Sequence, residues 1–294
     1  MNSSGNGVVS VAVPGGSLAV ELVTAATEPV LVIHGISSQR KLWNWLRAAD
    51  PALSLIAPDL RGRGDSVSVT GDSSIGRHAA DMVAVLDELG VTTAHVCGMS
   101  MGAFVAVELA ILAPDRVRSL ILVDGGFPMP VPADLTPATL PRMFRDRLVR
   151  LDRNWPSVAA YARFFVATTA PLLDPADPLL LDYLAHDLVD GTVRLSGDAL
   201  ITDSADIFFG PARWREVAVP TRLLAAQWSR GPVTAPAYDD EALRTFRDGS
   251  TVLVEVRRLA GADHAASIMT QPGAAATAEL IAAARTGRSS GGDG

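Results

Sequence analysis

Short, uninterrupted apolar runs alternate along this chain with segments of helical periodicity. Pro29–Ile33 is apolar throughout, as expected for a strand buried on both faces of a sheet, whereas Ile75–Leu89 repeats its apolar residues at helical spacing and stops at Gly90. Strands joined by helices form parallel sheets with helices on both faces, so the alternation predicts an α/β fold. The further predicted strands are Val8–Val13, Leu18–Val23, Leu53–Ala57, Ala94–Cys97, Val117–Val123, Thr221–Ala226 and Thr251–Leu259, and the further helices are Met101–Leu112 and about Ala274–Ala284.

The middle of the chain interrupts this rhythm. Residues 127–210 contain many prolines and mostly helical, arginine-bearing segments. We therefore predict a helical lid at 127–210, inserted into a core formed by 8–126 and 211–286. The ends, 1–7 and 287–294, are rich in glycine, serine and asparagine, which predicts flexible termini.

Composition narrows the partners that we expect. The formal net charge is −7, which disfavours nucleic acid and anionic membranes. Cys97 is the single cysteine, so neither a disulfide within the chain nor a cysteine-based zinc site can form. The N-terminus does not have the pattern of a signal peptide, and no apolar run reaches the ~20 residues that span a bilayer. A cytoplasmic protein is the resulting expectation.

The segment Gly98-Met99-Ser100-Met101-Gly102 lies between a predicted strand and a predicted helix. A serine on such a sharp turn points its hydroxyl out of the sheet, and side chains two residues to either side would collide with the turn. The helix that begins beside the serine favours an anionic intermediate, with the Met101 N–H as one donor. The pattern predicts Ser100 as a nucleophile; a glycine-flanked turn with an incidental serine is the alternative.

From about Val8 to Ala284 the chain resembles the α/β-hydrolase superfamily. Besides the turn at Ser100, His34-Gly35 follows a predicted strand, as in the family's HG loop. The resemblance implies a mostly parallel, eight-stranded sheet, and it implies that Ile36 supplies a second oxyanion N–H. The segment Asp59–Ser66 is similar to the family's D-x-R-G-x-G-x-S loop; we interpret Asp59, Arg61 and Ser66 as structural.

His264 follows the last predicted strand, and a neutral imidazole there can take a proton from Ser100 and pass it to a leaving group. A histidine on a surface loop is the alternative. The order Ser…acid…His agrees with the family. The other histidines receive different interpretations: His34 shapes the HG loop, His95 is a core residue, and His78 and His186 are expected to be solvated.

The position of the acid departs from the commoner family pattern, because Gly231 stands where an aspartate after the seventh strand is typical. Some branches of the superfamily place the acidic residue after the sixth strand, where Asp124 stands. The resemblance therefore favours Asp124, which would fix the imidazole tautomer. The alternatives are Asp203, Asp239, Asp240 or a serine–histidine dyad without a carboxylate.

The preferred function is hydrolysis of a carboxylic ester or lactone through an acyl-enzyme, with no cofactor and no metal. A diketone carbon–carbon hydrolase and a cofactor-free perhydrolase share the same triad, and a ligand-binding protein on an inactive hydrolase fold is a rival of another class. The expected partner is a small apolar ester, lactone or ketone. The five arginines between Arg142 and Arg153 are interpreted as a solvated helical face, with a clamp for an anionic substrate as the alternative.

Overall fold

The computed structural model describes residues 6–287, in which eight strands form one sheet. In chain order they are β1 (Gly7–Val13), β2 (Gly16–Val23), β3 (Val30–Ile33), β4 (Leu55–Pro58), β5 (Ala94–Met99), β6 (Val117–Val123), β9 (Thr221–Trp228) and β10 (Leu253–Asp263). Two short strands, β7 (Leu188–Val189) and β8 (Thr192–Val193), form a separate hairpin. The spatial order of the sheet is β1-β2-β4-β3-β5-β6-β9-β10.

Pairing within this sheet is antiparallel at one edge and parallel elsewhere. The β1–β2 hairpin and the β2–β4 pair are antiparallel, and every following pair from β4 to β10 is parallel. The predicted mostly parallel, eight-stranded sheet is therefore confirmed.

Ten α-helices occur in the described part of the chain. They are α1 (Asn44–Ala49), α2 (Ile75–Glu88), α3 (Met101–Leu112), α4 (Leu140–Met143), α5 (Arg145–Val149), α6 (Val158–Thr168), α7 (Pro178–Asp187), α8 (Gly197–Phe209), α9 (Asp240–Asp248) and α10 (Gln271–Thr286). Helix α2 packs against α3, and α1 packs against α10. Both α3 and α10 contact β5 and β6, so helices cover the centre of the sheet.

The centre of the sheet is fully buried. Every residue of β3, β4 and β5 is buried, which explains why these strands are apolar runs without alternation. Because parallel strands end at the same edge, the loops after β3, β5, β6 and β10 meet above this core.

Helices α4–α8 and the β7–β8 hairpin lie between β6 and β9 in the chain. Their aromatic residues pack on one another: Trp155 contacts Tyr161 and Phe164, and Phe165 contacts Tyr183. The helical content agrees with the sequence pattern, while the role of 127–210 as a lid stays a prediction.

The predicted flexible ends fall mostly on residues 1–5 and 288–294, which lie outside the described residues. Gly7 begins β1, and Gly287 ends α10 in a left-handed conformation with φ 66°. Between residues 6 and 287, no helix combines the length and the apolar character that crossing a membrane requires.

Candidate active site

Ser100 occupies a strained turn between β5 and α3. Its backbone has φ 55° and ψ −120°, a conformation that costs a side-chain-bearing residue about 1–3 kcal/mol. The flanking glycines make the turn possible. A Cβ at Gly98 would overlap the carbonyl of Gly102, and a Cβ at Gly102 would overlap the carbonyl of Ile33. The steric reason for the glycine spacing thus holds in the structure.

The structure brings His264 to this turn. Its Nε2 lies 3.0 Å from Ser100 Oγ, and its Nδ1 lies 2.6 Å from Asp124 Oδ2. Since a carboxylate accepts only, Nδ1 carries the proton and donates to Asp124, which leaves Nε2 free to accept the Ser100 O–H. Ser100, His264 and Asp124 therefore form a continuous hydrogen-bonded chain, which we call the candidate triad.

Asp124 is held in place from two sides. The residue follows β6 with φ 46°, and its backbone N–H donates to Leu224 at 2.8 Å. Its side chain is only 1% exposed, and Oδ1 accepts the Ala226 N–H at 2.9 Å. One carboxylate oxygen is thus fixed by the neighbouring strand β9, so the other points at the imidazole.

The alternative acids lie elsewhere. Asp203 is buried and bonded to Arg63 and His78, Asp239 caps α9 through the Ala242 N–H, and Asp240 pairs with Arg258. Because His264 Nδ1 already bonds to Asp124, the geometry favours Asp124 over these residues and over a dyad.

Gly231 stands where an aspartate is typical of the family, and it makes a backbone contact there instead. With φ 69° it adopts a left-handed conformation, and its N–H donates to Asp263 Oδ2 at 2.8 Å. Asp263 also accepts the Ala266 N–H at 2.9 Å. This buried carboxylate, which the sequence reasoning did not single out, therefore ties the loop at Gly231 to the loop that carries His264.

Both predicted oxyanion donors lie beside Ser100. Met101 is the first residue of α3, so its N–H has no acceptor within the helix. Ile36 lines two cavities together with Ser100 and His264. Arg63 holds the Ile36 peptide, because its Nε donates to the Ile36 carbonyl at 3.0 Å. The contribution of Arg63 was not visible in the sequence.

The residues interpreted as structural make structural contacts. Arg61 forms two hydrogen bonds to Asp81, at 2.7 and 2.9 Å, and Ser66 Oγ accepts the Ala19 N–H. His34 Nε2 accepts the Leu60 N–H at 3.0 Å. Burial lowers the pKa of His34 to about 4, so its imidazole stays neutral and joins the loops after β3 and β4.

The expectation that His78 is solvated is wrong. It is fully buried in a cluster with Ser73, Asp203 and Arg63, which we call the buried cluster. His78 Nε2 lies 3.0 Å from Asp203 Oδ2, Ser73 Oγ donates to Asp203 Oδ1 at 2.8 Å, and Arg63 Nη1 lies 2.6 Å from Asp203 Oδ2. The period of α2 places His78 on its inner face, where Asp203 of α8 meets it.

Two cavities meet at the candidate triad, and Ile36, Ser100, Arg147 and His264 line both. The polar chamber, of about 150 Å³, is also lined by Ser37, Ser38, Thr168, Thr169, Tyr183 and Arg230, beside apolar residues such as Leu42 and Phe165. The apolar chamber, of about 190 Å³, is also lined by Met101, Phe104, Met129, Phe144, Ile207 and Phe208.

The arginine run is only partly the solvated face that the sequence suggested. Arg142, Arg145 and Arg153 are exposed, but Arg150 is buried and Arg147 is half-buried at the cavities.

A separate charged group contains Asp59, Asp65 and His186, whose carboxylate oxygens and ring nitrogen lie within 4.8 Å of one another. Arg40 contacts both of these carboxylates and Arg194 contacts Asp65, so the group forms an ion-pair network.

Comparisons with known proteins agree with this architecture. Over 100 residues the chain is 41% identical to the dihydrolipoyllysine-residue acetyltransferase component of the acetoin cleaving system of Cupriavidus necator, a match that covers 33% of this chain and 26% of that protein. Over 95 residues it is 36% identical to lipase LipV of Mycobacterium tuberculosis. This match covers 32% of this chain and 36% of the lipase. The chain thus spans well under half the length of these curated relatives.

A solved structure matches nearly the whole chain. The crystal structure of E-2-(acetamidomethylene)succinate hydrolase superposes with a TM-score of 0.71 and 21% identity, over 95% of this chain and 100% of that one. The model of the alpha/beta hydrolase family matches residues 30–279, from the first central strand to the last helix. The chain therefore belongs to the alpha/beta hydrolase family.

Proposed function

We propose that this protein is a serine hydrolase that cleaves a carboxylic ester or lactone through an acyl-enzyme. The observation that carries the proposal is the chain of hydrogen bonds from Ser100 Oγ through His264 to Asp124, with distances of 3.0 and 2.6 Å, at the meeting point of two cavities. Nucleophile, base and orienting carboxylate within hydrogen-bond reach are the arrangement that activates a serine.

The reaction follows from these contacts. His264 Nε2 accepts the proton of Ser100 Oγ as the oxygen attacks the substrate carbonyl. The negative charge that develops on the carbonyl oxygen is stabilised by the N–H groups of Ile36 and Met101, of which each typically contributes about 10²–10³-fold to the rate. The imidazolium, stabilised by Asp124, then protonates the departing alcohol. A water molecule, deprotonated by His264, releases the acid from Ser100.

A fluorophosphonate probe and a panel of substrates test this proposal, with Ser100→Ala and Ser73→Ala as a matched pair of variants. Ser73 also contacts a histidine and an aspartate, but it lines neither of the two cavities at the candidate triad. We expect labelling of Ser100 in the wild type and in Ser73→Ala but not in Ser100→Ala. In Ser100→Ala, kcat on aryl esters or lactones should fall by about 10⁶-fold, as for the serine of a protease triad.

Three outcomes would contradict the proposal. Unlabelled wild-type protein that shows a ligand-induced shift in Tm without turnover would indicate a binding protein. Turnover confined to vinylogous diketones would indicate carbon–carbon hydrolysis. Undiminished ester cleavage by Ser100→Ala would remove Ser100 from the reaction.

A further inference from the structure

Two arginines line the polar chamber. They are Arg147 of α5 and Arg230 in the loop after β9. Within residues 6–287, neither has a carboxylate within the 4.0 Å of an ion pair. Arginines at a cavity with no acidic partner are suited to bind an anion.

Arg147 is the more constrained of the two. Its Nε is buried and has no hydrogen-bond partner among the described residues, and its guanidinium carbon lies 5.3 Å from the centre of the Phe144 ring. Burial, and then repulsion from Arg150 and Arg230, lower the pKa of Arg147 to about 10. The group is still charged at neutral pH, and it has lost part of its water shell without gaining an ion-pair partner among residues 6–287, which is costly unless a ligand supplies one.

The charges around this chamber leave a positive excess. Asp146 also lines it, but this carboxylate is exposed and lies on the neighbouring position of α5. Arg150, the remaining nearby cation, is buried and donates to the Ser37 carbonyl at 2.8 Å. The lining thus contains one acidic residue and two arginines, and Ser37, Ser38 and Thr169 add neutral hydrogen-bonding residues.

The apolar chamber shares Arg147 with the polar chamber, but most of its other lining is apolar. Phe104, Phe144 and Phe208 line it together with methionines and Ile207. Each chamber alone is smaller than the ~300–1,000 Å³ of ordinary ligand sites, so a substrate of usual size extends into both. The scissile bond at Ser100 then lies between an apolar part and a polar part of the substrate.

We propose that the substrate is an ester that carries a carboxylate on one side of the scissile bond and an apolar group on the other, with Arg147 binding the carboxylate and Arg230 assisting it. This inference rests on the proposed function, which it narrows to anionic esters. It changes the sequence-based expectation of an apolar substrate, because the lining of the polar chamber comes from segments that are distant in the chain.

Matched pairs of esters test this assignment. The first pair is the mono-4-nitrophenyl ester of glutaric acid and its neutral analogue with a terminal amide, so the charge lies on the acyl side. The second pair is 4-acetoxybenzoate and 4-acetoxybenzamide, which moves the charge to the leaving group. The measured quantity is the ratio of kcat/KM for the anionic member to kcat/KM for the neutral member, in the wild type, Arg147→Met, Arg147→Lys and Arg145→Met.

In at least one pair, we expect the wild type to prefer the anionic ester and Arg147→Met to reduce the ratio by about 10- to 100-fold, the range of a charged hydrogen bond. Arg147→Lys should retain part of the preference, because it keeps the charge. Arg145→Met removes an exposed arginine of the same helix that lines neither chamber, so its ratio should equal that of the wild type.

The result that overturns the inference is Ser100-dependent cleavage of both pairs with ratios that neither Arg147 variant changes. That result would leave the proposed hydrolase function standing. Cleavage of no ester by the wild type, or cleavage that persists in Ser100→Ala, would instead remove the proposed function and this inference with it.

Discussion

The candidate triad and the buried cluster contain the same three residue types, and their geometry differs in every respect that matters for catalysis. In the candidate triad the three groups follow one another, with His264 between Ser100 and Asp124. In the buried cluster, Ser73 and His78 both turn to Asp203, at 2.8 and 3.0 Å. A single nitrogen, His78 Nε2, faces both partners, so no proton can pass through the ring from the serine to the carboxylate.

The surroundings differ as strongly. The side chain of His264 is 29% exposed at the cavities, whereas that of His78 is fully buried. Asp124 accepts hydrogen bonds from the imidazole and from one backbone N–H, whereas Asp203 forms an ion pair with Arg63 besides its contacts with Ser73 and His78. The two sites therefore share residue types, and only at the candidate triad does a strained turn at the end of a strand place the serine at a cavity. Elsewhere the same groups provide a polar anchor, here between α2 and α8.

After the serine variants, the largest effect that separates the two sites is expected for Asp124→Asn. Neutralising the orienting carboxylate permits the wrong imidazole tautomer, and we expect kcat on the ester substrate to fall by about 10⁴-fold. Steady-state kinetics measure this, with Asp240→Asn as a control in which an exposed acid is changed. Activity of Asp124→Asn within a factor of ten of the wild type would remove Asp124 from the triad.

A smaller effect, on stability instead of turnover, is expected for Asp203→Asn. The change leaves the buried Arg63 charge without its partner, which typically costs about 3–5 kcal/mol of unfolding free energy. Urea unfolding measures this loss. Asp240→Asn breaks an exposed ion pair and should cost at most about 1 kcal/mol. Equal losses in the two variants would show that the buried cluster is not an anchor.

The smallest effect concerns pH. Burial alone would raise the pKa of Asp203, but the adjacent Arg63 and the hydrogen bond from His78 lower it from 3.8 to about 2. A lowered folded-state pKa contributes stability that is present above about pH 4 and disappears as the pH falls toward 2, here on the order of 2 kcal/mol. The difference in unfolding free energy between wild type and Asp203→Asn should shrink over this range. A constant difference would contradict the assignment.

The sequence predicted the sheet well because its signals are local. An apolar run such as Pro29–Ile33 can only be buried on both faces, and the boundaries of β6 agree with the predicted ones. The boundaries of the last helix agree less closely: α10 runs from Gln271 to Thr286, beyond the predicted helix at about Ala274–Ala284. Helix ends depend on capping, here by Thr270, whose side chain accepts the Gly273 N–H.

The sequence by itself determined the turn at Ser100 in part: the collision that demands Gly98 is with Gly102, four residues along the chain, whereas the collision that demands Gly102 is with Ile33 of β3. It also placed His264 and Asp124 after strands that end at the same edge of the sheet. Only the tertiary structure decided that His78 is buried against Asp203, 125 residues away, and that Arg147 lies at a cavity with no ion-pair partner among residues 6–287. A contact between distant segments leaves no periodic signal, since it depends on how whole helices pack over the sheet.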